Sequence, residues 1–526
     1  MTVPIYLDYA ATTPVDPLVA EAMSECLTEE GDFANPASST HGMGRRAQAR
    51  VEGARDEVAA LIGAEPSEII FTSGCTESNN LAILGIARNA GRGRHIVTSR
   101  IEHQAVLDPC RHLEKEGYAV TYLTPDRAGR IAPEALAAAL RADTVLVTLM
   151  QVNNEIGVVS DIAAFGALCA ERGIALHSDA AQSAGKLAID VRTLPVDFLS
   201  FTAHKFYGPK GIGALYVRSG SRARLSPVIF GGGQERGLRP GTLPTHQMVG
   251  FATACTLART RRGEVGRLTA LRDRLWRGLS QLGGVHLNGQ EAARIPDILS
   301  VSFEGVEGES LVTGLTELAL ATGSACSSAT GEPSYVLRAL GRDRQLSQST
   351  LRLSLGRGTT EADIDRALQA VNREVRRLRH VAPGGFSQKI ASDDPKLLKD
   401  RDPIEFDILS KTTRQLFSEL PGAGVLPAAP GVIRGEARDA DSQTWVRFHL
   451  LVENGIVRDA RFEALGCPHT LAVMAWLTGR LPGRETSGLE LGAPAAWAEA
   501  LEVPVEKLGR LLVVEDALQA CLMLRA

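Results

Sequence analysis

From about residue 50 to residue 260, short apolar runs alternate with helix-like segments. Four of the runs are Glu68-Ile-Ile-Phe-Thr72, His95-Ile-Val-Thr98, Thr144-Val-Leu-Val-Thr148 and Ile174-Ala-Leu-His177, each of strand length. Strands that alternate with helices predict a largely parallel α/β sheet. A charged helical stretch near residues 259–283 leads into a smaller α/β unit that ends around Arg379. Residues 381–401, with Pro-Gly-Gly, Ser-Asp-Asp-Pro and mixed charge, read as a linker. A further unit runs from residue 402 to the end, and neither a tandem repeat nor a low-complexity tract interrupts the pattern.

Length and charge narrow the function classes. A chain of 526 residues that is 44% hydrophobic is long for one core and can build two or more soluble domains. The formal net charge of -4 gives no long-range basic field, so neither direct nucleic-acid binding nor an anionic membrane surface is expected. The opening Met-Thr-Val-Pro-Ile-Tyr-Leu-Asp-Tyr has no basic segment followed by an apolar one, and no apolar run reaches the length of a bilayer span. A cytoplasmic location is the expectation. Eight cysteines without a C-x-x-C pair are expected to be reduced. Cys26, Cys110, Cys169 and Cys255, on helix-like segments, read as packing residues.

The polar clusters that follow the apolar runs carry the chemistry, as expected where ligands bind beyond the carboxyl ends of parallel strands. Lys205 lies in Ser200-Phe-Thr-Ala-His-Lys-Phe-Tyr-Gly208, behind a strand and before a glycine-rich stretch, where its amine can form a Schiff base. Asp179 ends the run Ile174-Ala-Leu-His-Ser-Asp179. A carboxylate there can pair with the protonated ring nitrogen of pyridoxal phosphate and keep the ring an electron sink, or it can cap the next helix. Gly74, Cys75 and Thr76 fall at a helix N-terminus, whose N–H groups can hold a phosphate. Cys75 need not be reactive for this. Cys326, in Gly323-Ser-Ala-Cys-Ser-Ser328, sits among small residues that leave its sulfur accessible, as a nucleophilic thiolate requires.

Taken in order, these residues resemble the fold-type I pyridoxal-phosphate cysteine desulfurases, in particular the bacterial IscS type. The resemblance covers roughly residues 1–380. It rests on Tyr6-Leu-Asp-Tyr-Ala-Ala-Thr-Thr-Pro14, Asn35-Pro-Ala-Ser38, Val152-Asn-Asn-Glu-Ile-Gly157, Arg239-Pro-Gly-Thr242, Gly323-Ser-Ala-Cys326 and Pro333-Ser-Tyr-Val-Leu-Arg-Ala-Leu-Gly341. It implies a large mostly parallel-sheet domain of about residues 15–260 and a small α/β domain from residues 1–14 and 261–380. Lys205 would carry pyridoxal phosphate, Asp179 would pair with the ring nitrogen, His103 would lie against the ring and Gln182 would reach the phenolic oxygen. Thr76, Thr202, His204 and the backbone around Cys75 would hold the phosphate. Thr242 would reach in from a second subunit, which implies a homodimer. Asn154 and Arg352 would fix the substrate carboxylate, Asn154 also lying on the cofactor.

The activity so implied converts L-cysteine to L-alanine. Lys205, once released from the cofactor, removes the Cα proton, Cys326 takes the substrate sulfur as a persulfide, and His103 carries a proton. A sulfur-acceptor protein, such as an iron-sulfur scaffold, would receive it. The alternatives are a selenocysteine lyase or related lyase, and a non-catalytic, partner-recruiting protein. The tail from residue 402 to 526, through Val452–Cys467 and Lys507–Ala517, resembles the IscU/NifU scaffold family in an α+β form. Of that family's three cysteines only Cys467 remains; Gly509 and Arg510 stand where a histidine and a cysteine would, and no metal site is expected. Cys467 then reads as a possible sulfur relay, as part of an interaction domain, or as a core residue at a helix start.

Overall fold

The computed structural model describes residues 3–91, 93–222, 224–261, 263–322, 333–382, 409–487, 489 and 491–523. The chain opens on β1 (Ile5–Tyr6) and then lays down β2 (Ile69–Thr72), β3 (His95–Ser99), β4 (Ala119–Leu123), β5 (Thr144–Thr148), β6 (Ala175–Asp179), β7 (Phe198–Thr202) and β8 (Gly213–Val217). These last seven form one sheet in the order β2-β8-β7-β6-β5-β3-β4. It is parallel from β7 to β4, with β8 antiparallel to both its neighbours. Alternate strand residues feed two cores, one on each face. Phe71, Val97, Val147 and Leu176 face one, while Ile70, Ile96, Leu146 and Ala175 face the other. Burial on both faces is why these strands are continuous apolar runs rather than alternating ones.

A second sheet, of order β12-β13-β10-β9, collects β9 (Val285–Leu287), β10 (Ile298–Phe303), β12 (Ala321–Thr322) and β13 (Thr350–Ser354). Between them β11 (Leu318–Ala319) pairs with β1, and the Ser354 amide donates to Leu7 O at 2.7 Å. The N-terminal strand is thereby fastened to this smaller sheet before residues 10–14 cross to the large one. In chain order, the helices that bear on function are α1 (Cys75–Asn89), α2 (Gln104–Lys115), α3 (Gly308–Gly314), α4 (Tyr335–Ala339) and α5 (Glu361–Val381). The last starts at a reciprocal Thr360–Asp363 capping box, which satisfies two of its first amides.

Residues 409–523 add α6 (Lys411–Glu419), the antiparallel meander β14 (Val432–Asp439), β15 (Thr444–Glu453) and β16 (Ile456–Leu465), then α7 (Pro468–Thr478) and α8 (Leu508–Met523). Their apolar residues do not form a core of their own. Phe417, Phe462 and Leu471 are continuous with Leu311, Val371 and Leu378 of the smaller sheet's helices, and Arg377 Nη1 donates to Phe417 O at 2.8 Å. Among the described residues no helix is long and apolar enough to cross a membrane.

Candidate active site

Helix α1 begins directly after β2 with Gly74 at its N-cap and no side chain capping it, so its first amides are open to a ligand. Gly213 on β8 lets this turn pack close. A Cβ there would stand 2.6 Å from Phe201 O and 2.8 Å from Gly74 C. The resulting cleft, of about 590 Å³, is floored by Gly74, Cys75, Thr76, Thr202, His204 and Lys205, and walled by His103, Asn154, Asp179, Gln182 and Arg352. Strand ends and the turns after them supply nearly all of these side chains, which is where a parallel sheet exposes polar groups.

Asp179 is held by three donors: Asn79 Nδ2 at 2.7 Å, the Ala181 amide at 2.9 Å and Cys75 Sγ at 3.4 Å. Burial and the neighbouring Asp179 push the Cys75 thiol well above its ordinary value, so it is a neutral donor here and not a nucleophile. Lys205 closes the short turn that follows β7. Its Nζ donates to Ala10 O at 2.6 Å and Ala11 O at 2.8 Å. His204 Nδ1 lies 3.1 Å from Thr12 Oγ1, and burial together with Lys205 pushes its ring down to about 4. His103 caps α2. Its Nδ1 accepts the Ala105 amide at 3.1 Å, which leaves Nε2 to carry the proton of the neutral ring.

Arg352 lies on β13 with its side chain only 4% exposed. Nη2 meets Asp8 Oδ1 at 2.8 Å and Nη1 donates to Asn154 O at 3.1 Å. Arg352 Nε and Asn154 Oδ1 are buried without a hydrogen-bond partner, an exposed need for both an acceptor and a donor at the same wall. Nothing local to Asp8 or Asn79 singled out either residue, although Asp8 falls inside the string Tyr6–Pro14. Nor did the sequence point to the carbonyls of Ala10 and Ala11, whose part depends on a chain crossing. Thr242 is exposed and does not line the cleft of its own chain. Cys326 lies outside the described residues. Just after that segment, Ser334 donates to Glu155 at 2.5 Å and the Tyr335 hydroxyl to Glu102 O at 2.6 Å.

Residues 5–367 match the family described as aminotransferase class-V. The chain belongs to the class-V aminotransferases. Among curated class-V relatives, the cysteine desulfurase IscS of Pectobacterium atrosepticum is 56% identical over 385 residues, 73% of this chain and 95% of the relative. A solved structure described as a NIFS-like protein aligns at 36% identity with a TM-score of 0.65, over 70% of this chain and 98% of that one. Another, SspA in complex with cysteine, aligns at 39% identity and a TM-score of 0.59, over 67% and 98%. Class-V enzymes use pyridoxal phosphate, and the cleft fits it. The Lys205 amine stands in the cleft with an anchored carboxylate, an uncapped helix N-terminus suits a phosphate, and two buried polar atoms lack partners.

The matched stretch stops before residues 409–523. There Cys467 is the N-cap of α7 and fully buried, with Sγ 3.4 Å from Thr470 Oγ1. Burial raises its thiol, with Arg510 opposing. The turn before it is tied to α3, since Ser310 Oγ donates to Gly466 O at 2.8 Å. Lys507 pairs with Glu309 at 2.7 Å and Arg510 faces Glu307 at 3.6 Å. Among the described residues no group of three or more His, Cys, Asp or Glu side chains is placed to hold a metal ion.

Proposed function

We propose that the chain is a cysteine desulfurase that converts L-cysteine to L-alanine and holds the sulfur as a persulfide on Cys326. The observation that carries this reading is the meeting of Lys205, Asp179, His103 and Arg352 in one cleft, in a chain whose curated relatives are desulfurases. Bound pyridoxal phosphate supplies an electron sink for the pair left when a Cα–H bond breaks. Asp179 would keep the ring nitrogen protonated, and the α1 amides with Thr76, Thr202 and His204 would hold the phosphate. Arg352, braced by Asp8, receives the substrate carboxylate with Asn154 beside it. An Arg fork suits a carboxylate because two parallel N–H donors match its two oxygens.

Lys205 then does two jobs. Its amine would hold the cofactor and, when free, would be the base that takes the Cα proton, with the Ala10 and Ala11 carbonyls to steady it. The Cys326 thiolate attacks the substrate sulfur, a new S–S bond forms, and the Cβ–S bond breaks with its electrons going to carbon. His103, at the cleft wall, is the group assigned to carry to alanine's Cβ a proton it first takes up from solvent or from the Lys205 ammonium. A homodimer in which Thr242 serves the partner's phosphate site belongs to the same reading, as does a cytoplasmic sulfur acceptor such as an iron-sulfur scaffold. The C-terminal unit is read as IscU-like without that family's ligand set, and Cys467, buried at a helix start, is read as core.

The deciding experiment uses Cys326→Ala. The variant keeps the visible absorbance of bound pyridoxal phosphate, yet releases no sulfide and forms no alanine from L-cysteine under reducing turnover. Full turnover by that variant would overturn the assignment of Cys326, and loss of cofactor absorbance from the wild type would overturn the enzyme reading itself.

A further inference from the structure

We propose that Lys186, held by Asp297, is a positioning residue that fixes which end of the Gln182 side-chain amide faces the cofactor. Lys186 Nζ reaches Gln182 Oε1 at 3.2 Å and Asp297 Oδ2 at 2.8 Å. An ammonium has donors and no acceptor, so only the oxygen end of the amide can sit against it. In the same orientation Gln182 Nε2 donates to the Ala10 carbonyl at 2.9 Å, an acceptor it shares with Lys205 Nζ at 2.6 Å. With both ends assigned by chemistry, the second N–H of the amide is the one left to donate to the cofactor's phenolic oxygen. The inference rests on the reading of Gln182 as that donor.

The brace crosses between the two sheets. Lys186 follows β6 in the turn after Gln182, whereas Asp297 immediately precedes β10. Strand β10 pairs with β13, Ser300 lying opposite Arg352. The ion pair is buried, with side chains 13% and 5% exposed, and Asp297 Oδ1 has no partner. Both ions are thus held largely out of water, and a merely structural pair would be matched by apolar residues at little loss. A pair that also fixes an amide at the cofactor has a further consequence. Without the ammonium the amide can turn over and present its oxygen to the phenolic oxygen, replacing a donor with a repulsive acceptor.

The test reads the holoenzyme by spectrophotometric titration, following the pH midpoint of the cofactor's visible absorbance. A donor on the phenolic oxygen stabilises its negative form and so weakens proton retention at the lysine linkage. Losing the donor raises the midpoint, by about one pH unit for one hydrogen bond to a charged group. The variants are Gln182→Ala, Lys186→Met/Asp297→Asn, which leaves no lone buried charge, and Lys186→Arg. The expected result is a rise in Lys186→Met/Asp297→Asn at least as large as that in Gln182→Ala, a midpoint equal to that of Gln182→Ala when the two are combined, and a wild-type midpoint in Lys186→Arg. An unchanged midpoint in Lys186→Met/Asp297→Asn, beside a raised one in Gln182→Ala, would overturn the role of Lys186 while leaving Gln182 as donor. No change in either would overturn the Gln182 reading first and this inference with it.

Discussion

At the scale of single residues, burial decides which groups carry charge. His177, two positions before Asp179 on β6, holds its ring between Thr148 Oγ1 and Ser200 Oγ, each at 2.8 Å, and burial pushes it down to about 4. A folded-state value below the unfolded one means that the unfolded chain binds the extra proton between about 4 and 6.5. Stability from keeping His177 neutral is therefore complete above pH 6.5 and is lost as pH falls toward 4, by about 3 kcal/mol at most. Glu102 and Glu155 act in the opposite sense. Burial raises them to about 8 and about 7, so their contribution is complete below the ordinary carboxyl value and fades as pH rises through those values. The diagnostic is consequently the difference between wild type and His177→Gln, which keeps a side chain that hydrogen-bonds but does not titrate. Denaturant unfolding at a series of pH values is expected to show the wild type losing ground to the variant between pH 6.5 and 4; a constant difference would mean that His177 titrates normally.

At the scale of elements, the closeness of β8 to the start of α1 sets the phosphate cradle. Gly213→Ala puts a methyl against the backbone of Phe201 and Gly74 at under 3 Å. Backbone on both sides cannot yield as a side-chain tip can, so the expected cost is about 1–3 kcal/mol, together with weaker retention of pyridoxal phosphate on dialysis. Gly220→Ala, which meets nothing within 4 Å, is expected to leave both the melting temperature and cofactor retention unchanged. Equal behaviour of the two variants would remove Gly213 from the cradle. The strands of the large sheet were legible in the sequence because both faces are buried: the runs at Ile69–Thr72, His95–Ser99, Thr144–Thr148 and Ala175–Asp179 match the expectation to within a residue or two. Lys205, Asp179 and the α1 start were legible for a related reason, since each follows such a run. The antiparallel turn of β8 was not, nor were the Asp8–Arg352 and Lys186–Asp297 pairs. Those contacts join residues 344 and 111 positions apart, and local pattern has no access to pairing at that range. Cys26 also departs from its expectation, as it falls just past the helix Pro17–Ser24, though it is buried all the same.

At the scale of the whole molecule, the C-terminal unit is seated on the small sheet's helices by a shared apolar core and by charge. Glu307 and Glu309 flank the start of α3, and Lys507 and Arg510 approach them from the start of α8. Between these lies Cys467, sealed beside Thr470 and below Ser310. A persulfide acceptor needs an approach path and a thiolate, and a buried thiol whose value is raised has neither. Arg510 occupies the place that the scaffold resemblance assigns to a thiol ligand, so the residue that replaces the ligand also closes the face by meeting Glu307. Brief alkylation of the native protein is therefore expected to label Cys326 at least about 100-fold faster than Cys467, in keeping with access through local opening only. Lys507→Ala/Arg510→Ala removes the cations from that seam and should speed labelling of Cys467 without altering that of Cys326. After incubation with L-cysteine, peptide mass spectrometry should find persulfide on Cys326 and not on Cys467. Persulfide on both, lost from both in Cys326→Ala, would show that the seam opens during turnover and would turn the C-terminal unit from a packed cap into a sulfur relay.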